Sequence, residues 1–270
     1  MVRQYYVPAV TDLSEQELES VLAVVEPPVC LLGGWAVHVH VNAGFEREHG
    51  REYIGSRDID VGVHVDPDWE PGDLPAKPVG NSIRQIEALG YTESRFGFVQ
   101  HFHRESHERI SEAEAGQYGM HDLFQVYVDV IPDTTQLDAF REAFGFEPPA
   151  EPLLAQAFDG EGESLSDHVS WSPPAEALIV PADLLGAMKV RSLPERDKSH
   201  KRVKDLADLH ALLWYVREFD EMQSAVLDHV SDGELERVEE TIDQDVFGET
   251  AELLQVDQAV VSGSVRRLVR

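Results

Sequence analysis

A chain of 270 residues with 42% hydrophobic content is long enough to bury one large core or two smaller ones, and its composition excludes a disordered protein. Its 51 acidic and 22 basic residues give a formal net charge of −29, and only five of the basic residues are lysine. Self-repulsion of such a surface is screened at about 1 M salt, where the Debye length is roughly 3 Å. We therefore predict a salt-adapted protein, with an acidic protein of an ordinary cytoplasm as the alternative. The charge does not exclude an RNA partner, because molar salt removes most of the counterion-release contribution to RNA affinity.

The single cysteine, Cys30, excludes an intramolecular disulfide and a cysteine-rich zinc cluster. The first ten residues, MVRQYYVPAV, lack the apolar stretch of a secretion signal. No apolar run approaches the roughly 18 residues that a membrane helix requires. We therefore expect a soluble, cytoplasmic protein without a membrane partner.

The first predicted element is an amphipathic helix from Ser14 to Glu26, which opens with a capping box formed by Ser14 and Glu17. A Pro-Pro pair ends it. Residues 29–34, VCLLGG, then predict a short buried strand that is closed by a glycine turn, and the segment WAVHVHVNAGF after it predicts a second helix. The resulting unit is a strand, a Gly-Gly turn and a helix.

Further along, a strand is predicted at residues 58–65, a helix at 81–89, and two strands at 96–103 and 123–131 that can form an antiparallel pair. A proline-rich segment follows, and helical periodicity continues from there to the last residues. We predict an α+β fold in which a mixed β-sheet domain flanked by helices precedes a helical C-terminal domain. The predicted boundaries are residues 1–150, a connecting segment with a possible hairpin at 151–180, and residues 181–270.

Two aspartates in SRDIDVGV have the spacing of neighbours on one strand face. Alternate side chains of a strand share a face, so Asp58 and Asp60 point the same way while Ile59 and Val61 face apolar packing. Such close carboxylates repel each other unless a hard divalent cation binds them, and Mg²⁺ prefers oxygen ligands. An isolated Asp-x-Asp is more often a solvated strand end, so the pair alone identifies no site.

Two other features strengthen this interpretation. Gly33 and Gly34 close a strand and start a helix, a place where backbone N–H groups favour a phosphate, with a plain tight turn as the alternative. Asp129 lies in FQVYVDVIP, where it shares a face with Tyr127 and the remaining residues are apolar. A carboxylate in such a strand requires a metal, a basic partner or an edge position.

The combination of LLGGW, SRDIDV and VYVDV resembles the nucleotidyltransferase superfamily. The 23 residues between Gly34 and Asp58 are similar to the longer interval of its AbiEii-like toxin branch. The stretch LIVPADLLGAMKVRSLPERDKSHKRVKDLADLHALL resembles the same branch, in which a lysine helix and an arginine-rich turn precede an Asp-x-x-Asp-Leu helix. Lys189, Asp205 and Asp208 occupy those positions. The resemblance spans residues 29–213 and implies a nucleotidyltransferase-like fold.

The implied activity is transfer of a nucleoside monophosphate from a nucleoside triphosphate, ATP being one candidate, to an acceptor hydroxyl with release of pyrophosphate. Two Mg²⁺ ions, or Mn²⁺ as the alternative, are the implied cofactors. The implied metal ligands are Asp58, Asp60 and Asp129, which together with Lys189 form the implied catalytic set. The implied nucleotide-binding residues are Gly33, Gly34, Ser56, Arg57, Lys189, Asp205 and Asp208.

The resemblance also implies RNA, such as a tRNA 3′ end, as acceptor, and a toxin with a cognate antitoxin protein. Several alternatives stay open: a small-molecule acceptor such as an aminoglycoside, an inactive nucleotide-binding or interaction module, and a metal-dependent glycosyltransferase. For Asp205 and Asp208 the alternative is ordinary i,i+4 ion pairing on an exposed helical stripe. His101 and His103 have the His-x-His spacing of a zinc pair, although exposed hairpin histidines are the ordinary interpretation.

Overall fold

A computed structural model describes residues 2–270, apart from the side chains of residues 3 and 120. The chain forms two compact units, and each unit combines separate stretches of sequence. Residues 8–35 and 55–180 form the first, called here the sheet unit, and residues up to 7, 36–54 and 181–270 form the second, called the helical unit. The predicted division at residues 150 and 180 stays a prediction about sequence domains.

The sheet unit contains one mixed sheet of eight strands. Its order is β3-β4-β6-β2-β1-β8-β7, with β5 beside β4. The parallel pairs are β2 with β6 and β1 with β8, and the other neighbours are antiparallel. The strands are β1 Val29–Leu32, β2 Asp58–Val63, β3 Thr92–Glu93, β4 Phe98–His103, β5 Arg109–Ile110, β6 Leu123–Pro132, β7 Glu163–Ser164 and β8 Ala177–Ile179.

Helices flank this sheet and make up most of the C-terminal part of the chain, so the predicted α+β class is confirmed. Among the described residues, no helix is both long enough and apolar enough to span a membrane. The α-helices are α1 Pro8–Leu22, α2 Gly33–His49, α3 Pro78–Ala88, α4 Glu112–Ala115, α5 Asp138–Phe144, α6 Leu154–Gln156, α7 Ala182–Ser192, α8 Ser199–Tyr215, α9 Phe219–Leu227, α10 Asp232–Thr241, α11 Gln244–Leu254 and α12 Gln258–Leu268.

The strand predictions follow from alternation that the structure confirms. In β2 and in the middle of β6, buried residues alternate with partly exposed ones. The predicted antiparallel pairing of β4 with β6 is present, with Phe98 opposite Val128. The proline-rich segment forms one hairpin, β7 with β8. Its second strand also joins β1 in parallel, a long-range pairing that no local pattern predicts.

The predicted start of the first helix is wrong, and so is its capping box. The helix begins at Pro8, a residue suited to a first turn because it has no N–H to satisfy. Ser14 and Glu17 therefore lie inside the helix, where both are buried. The Ser14 hydroxyl donates to the carbonyl oxygen of Arg57 at 3.2 Å, and Glu17 accepts from the guanidinium of Arg109 at 2.8 Å. These tertiary contacts, and not a helix cap, explain the two polar residues.

The helical unit has a core of its own around α8. This helix contacts α7, α9, α11 and α12, so it is enclosed on most sides. Its residues from Val203 to Leu213 are all buried, including charged ones. A cluster of apolar side chains seals one side, formed by Leu193, Leu206, Phe247, Ala251, Val261 and Val265.

Candidate active site

Three carboxylates meet on one face of the sheet. Asp60 on β2 and Asp129 on β6 are register partners on neighbouring parallel strands. Adjacent strands lie about 4.8 Å apart, so the two side chains leave the sheet side by side. Asp58 precedes Asp60 by two residues and shares its face. All three are partly buried, whereas Ile59 and Val128 on the opposite face are fully buried.

The same face continues as a row of polar side chains. The register partner of Asp58 is Tyr127, whose hydroxyl donates to Oε1 of Gln125 at 2.9 Å. The amide of Gln125 then donates to Nε2 of His101 at 2.9 Å. This contact occupies one ring nitrogen of His101. Among the described residues, His101 and His103 belong to no set of three or more side chains arranged to bind a metal.

Gly33 lies against the Asp60 carboxylate. The strand β1 ends at Leu32, the register partner of Asp60, and α2 begins at Gly33. The φ angle of Gly33 is +67°, in the left-handed region, and a Cβ at this position would lie only 2.5 Å from Cγ of Asp60. Glycine is therefore required both by the backbone and by the space. The turn brings the first backbone N–H groups of α2, starting with Gly33 and the buried Gly34, beside the carboxylates.

A second glycine borders the site and was not predicted. Gly97 immediately precedes β4, and a Cβ there would lie 3.0 Å from Oδ1 of Asp129 and 3.1 Å from its Cα. The two glycines thus flank the paired carboxylates, Gly33 beside Asp60 and Gly97 beside Asp129. A glycine inside the predicted strand 96–103 was the available signal, since glycine in a strand often marks a close approach.

Ser56 and Arg57, two predicted nucleotide ligands, immediately precede β2. Ser56 is buried and Arg57 is partly buried. The backbone here is fixed to α1 through the hydrogen bond from Ser14 to the carbonyl oxygen of Arg57. Both residues therefore lie at the end of β2 that carries Asp58.

The other predicted residues, Lys189, Asp205 and Asp208, lie together in the helical unit. Nζ of Lys189 on α7 is 2.7 Å from Oδ1 of Asp205 and 2.8 Å from Oδ2 of Asp208, both on α8. The two carboxylate side chains are 5% and 0% exposed. The alternative of an exposed ion-pair stripe is therefore wrong, because α8 is enclosed by other helices. Lys204 does pair with Asp208 at i,i+4, but inside the unit.

The pKa values in this network follow from competition between burial and ion pairing. Burial alone would lower the pKa of the Lys189 ammonium, but Asp205 and Asp208 outweigh it and raise the pKa above its usual value. Burial would raise the pKa of Asp205, but Lys189 and Arg196 outweigh it and lower the pKa. For Lys204, burial outweighs the attraction of Asp208, so its pKa is lowered.

Sequence reasoning missed two contributors to this network. The hydroxyl of Tyr53 donates to Oδ1 of Asp208 at 2.9 Å, and burial followed by the Asp208 charge raises the pKa of that phenol. Arg196 pairs with Asp205. A charge count gives a signal for the region, because seven of the 22 basic residues lie within residues 189–204. No sequence signal points to Tyr53.

Comparison with known proteins gives one match. The sequence model of the family described as "Nucleotidyl transferase AbiEii toxin, Type IV TA system" matches residues 49–258, well over half of the chain. The matched interval contains both aspartate strands and the lysine network, and it begins after Gly33 and Gly34. Searches of curated proteins and of solved structures found no match.

Proposed function

The chain belongs to the AbiEii family of nucleotidyl transferase toxins, and on this premise we propose that it transfers a nucleoside monophosphate from a nucleoside triphosphate to an acceptor hydroxyl. The observation that carries the proposal is the register pairing of Asp60 with Asp129, with Gly33 against the Asp60 carboxylate. This arrangement supports a site in which acidic side chains and the first N–H groups of a helix face the same triphosphate.

The donor set of the sheet unit fits Mg²⁺, with Mn²⁺ as the alternative. Asp58, Asp60 and Asp129 offer hard oxygen ligands from two adjacent strands, and their mutual repulsion is removed by a divalent cation. We assign all three as ligands of two such ions. When bound, the ions neutralise phosphate charge and lower the pKa of a coordinated hydroxyl.

The remaining chemistry is assigned to residues of this chain. The N–H groups of Gly33 and Gly34 donate to phosphate oxygens, and Ser56 and Arg57 contact the nucleotide. Asp129 accepts the proton of the acceptor hydroxyl as that oxygen attacks the α-phosphorus. The bond from the α-phosphorus to the bridging oxygen breaks, and pyrophosphate leaves.

Lys189, Asp205 and Asp208 stay proposed nucleotide-binding residues, and the role that the family resemblance implies for Lys189 is to offset negative phosphate charge. Four of the seven basic residues at 189–204 are paired with carboxylates of the helical unit, so the support for a nucleotide at this network is the family assignment and not the local charge. RNA is the proposed acceptor, with a 3′-terminal hydroxyl as the attacking group. The family assignment supports a cognate antitoxin as a further partner.

A labelling experiment tests the proposal. The protein is incubated with each α-labelled nucleoside triphosphate, Mg²⁺ and total RNA in molar KCl. We expect label in RNA with the wild type and none with Asp60→Asn or Asp129→Asn, while Asp159→Asn at an exposed position retains transfer. A parallel incubation replaces RNA with an aminoglycoside, and label there with none in RNA would favour the small-molecule alternative. Nucleotide binding without any transfer would favour an inactive module.

A further inference from the structure

An exposed aromatic ring and a cation occupy the turn beside the acidic site. Residues 94–97, SRFG, connect β3 with β4, and the N–H of Ser94 donates to the carbonyl oxygen of Gly97 at 2.7 Å. Phe96 is 50% exposed, the largest value among the large hydrophobic side chains described. The guanidinium carbon of Arg95 lies 4.8 Å from the centroid of its ring. Core packing does not explain a phenylalanine in this position.

The sheet register locates this turn relative to the carboxylates. Phe98 is opposite Val128, so Gly97 continues the register opposite Asp129, whose own partner is Asp60. The row across the sheet is therefore Gly97, Asp129, Asp60 and Leu32, with the Gly33 turn at the far end. Because consecutive Cα atoms are about 3.8 Å apart, Cα of Phe96 lies within roughly 8 Å of the Asp129 carboxylate.

We propose that Phe96 stacks on the terminal base of a nucleic-acid acceptor while Arg95 pairs with the adjacent phosphate, so that the two position the terminal hydroxyl at Asp129. This inference rests on the proposed function. The order of the row assigns the turn to the acceptor, because the donor phosphates are assigned to the Gly33 end. Phe96 and Arg95 are positioning residues, and the proton still goes to Asp129.

The chemistry of the turn favours a nucleotide over a small cationic acceptor. A phenylalanine ring stacks on any base, and an arginine beside it attracts phosphate and strengthens stacking through its planar guanidinium. A polycationic aminoglycoside would be repelled by Arg95 and would gain nothing from an exposed ring. The Arg95 guanidinium lies next to the Phe96 ring, so the turn presents an aromatic ring and a cation together.

Steady-state kinetics with separate variation of RNA and nucleoside triphosphate tests this role. We expect Phe96→Ala to raise the KM for RNA by about tenfold or more, as loss of one stacked base implies, with kcat and the KM for the triphosphate changed less than about twofold. Phe96→Trp retains an aromatic ring and should keep the KM for RNA close to that of the wild type. Tyr118→Ala removes an aromatic ring that is 46% exposed elsewhere in the sheet unit, and it should have no effect. Thermal melting verifies that each variant is folded.

A binding measurement separates this inference from the proposed function. The anisotropy of a fluorescent single-stranded RNA is measured as it is titrated with the Asp60→Asn protein and with the same protein carrying Phe96→Ala or Arg95→Gln, so turnover is not required. We expect both variants to bind RNA more weakly. For Arg95→Gln, the slope of log affinity against log salt concentration should also be smaller by about one, as loss of one phosphate contact implies. Equal RNA affinity with and without Phe96→Ala overturns the inference, whether or not the enzyme transfers nucleotides. Tyr118→Ala in the same background is the control, and a loss of RNA affinity equal to that of Phe96→Ala also overturns the inference.

Discussion

The ammonium of Lys189 bridges Asp205 and Asp208, at 2.7 and 2.8 Å, inside a helical unit where neither carboxylate meets appreciable solvent. A buried network of this kind contributes little net stability compared with an apolar core, but removing one partner leaves uncompensated charge. The three residues therefore have an observed structural role in addition to the proposed nucleotide-binding one.

Asp208→Ala should destabilise the protein by about 3–5 kcal/mol, because it leaves Lys189 and Lys204 buried without their shared carboxylate. Chemical denaturation in molar salt measures the change. Asp197→Ala, at an exposed position, is the matched control and should change the free energy of unfolding by less than about 0.5 kcal/mol. Equal effects of the two substitutions would show that the network is not coupled to folding.

Gly33→Ala should abolish nucleotide transfer, because the new Cβ would overlap the Asp60 carboxylate. Gly50→Ala provides a close control: Gly50 has a nearly identical φ of +66° but nothing within 4 Å of its Cβ position. Backbone strain of about 1–2 kcal/mol is therefore common to both variants, and only Gly33→Ala displaces the carboxylate. Comparable activity of the two would remove the argument for a close approach at Gly33.

The stability of the protein should fall as the pH drops from 6.5 towards 4, in part because of His210. This side chain is fully buried beside Ser264, and burial, followed by the nearby His49, lowers its pKa to about 4. Below pH 6.5 the unfolded chain binds a proton that the folded chain does not, so folding is progressively disfavoured until the folded group also titrates.

At pH 5 this contribution amounts to about 2 kcal/mol. His210→Gln should therefore show a flatter pH dependence of the free energy of unfolding between pH 7 and 5. His121→Gln, at an exposed position, should leave the slope unchanged. Identical slopes for wild type and His210→Gln would contradict the assignment.

The net charge of −29 leads to a prediction about salt. Repulsion among exposed carboxylates is weakened as KCl rises to the molar range, so the melting temperature should increase throughout that range. Thermal melts across a KCl series measure it. Equal melting temperatures at low and molar KCl would contradict the prediction of salt adaptation.

The sheet face of the candidate site was predictable because it depends on local rules. Alternation at the start of β2 and in the middle of β6 places Asp58, Asp60 and Asp129 on one side, and a glycine pair after a strand marks the turn. The register that makes Asp60 and Asp129 direct neighbours is a long-range property that no local pattern predicts, and the family resemblance implied only that Asp129 joins the same metal site.

What escaped prediction depends on tertiary enclosure. The charges of α8 have the spacing of a solvated stripe, yet neighbouring helices bury Asp205 and Asp208. Ser14 and Glu17 have the spacing of a capping box, but the helix starts six residues before Ser14. Both side chains are buried and contact other parts of the sheet unit. Gly97 was visible only as a glycine in a strand, because its partner Asp129 lies far along the chain.

The most direct test of the central claim is to measure Mn²⁺ affinity by electron paramagnetic resonance in the presence of a nucleoside triphosphate. The proteins compared are the wild type, Asp60→Asn, Asp129→Asn and Asp159→Asn. Cross-strand ligation predicts that Asp60→Asn and Asp129→Asn each weaken binding by about tenfold or more, while Asp159→Asn binds like the wild type. Unchanged affinity in Asp129→Asn would contradict the account, because the two register partners would then not share a metal site.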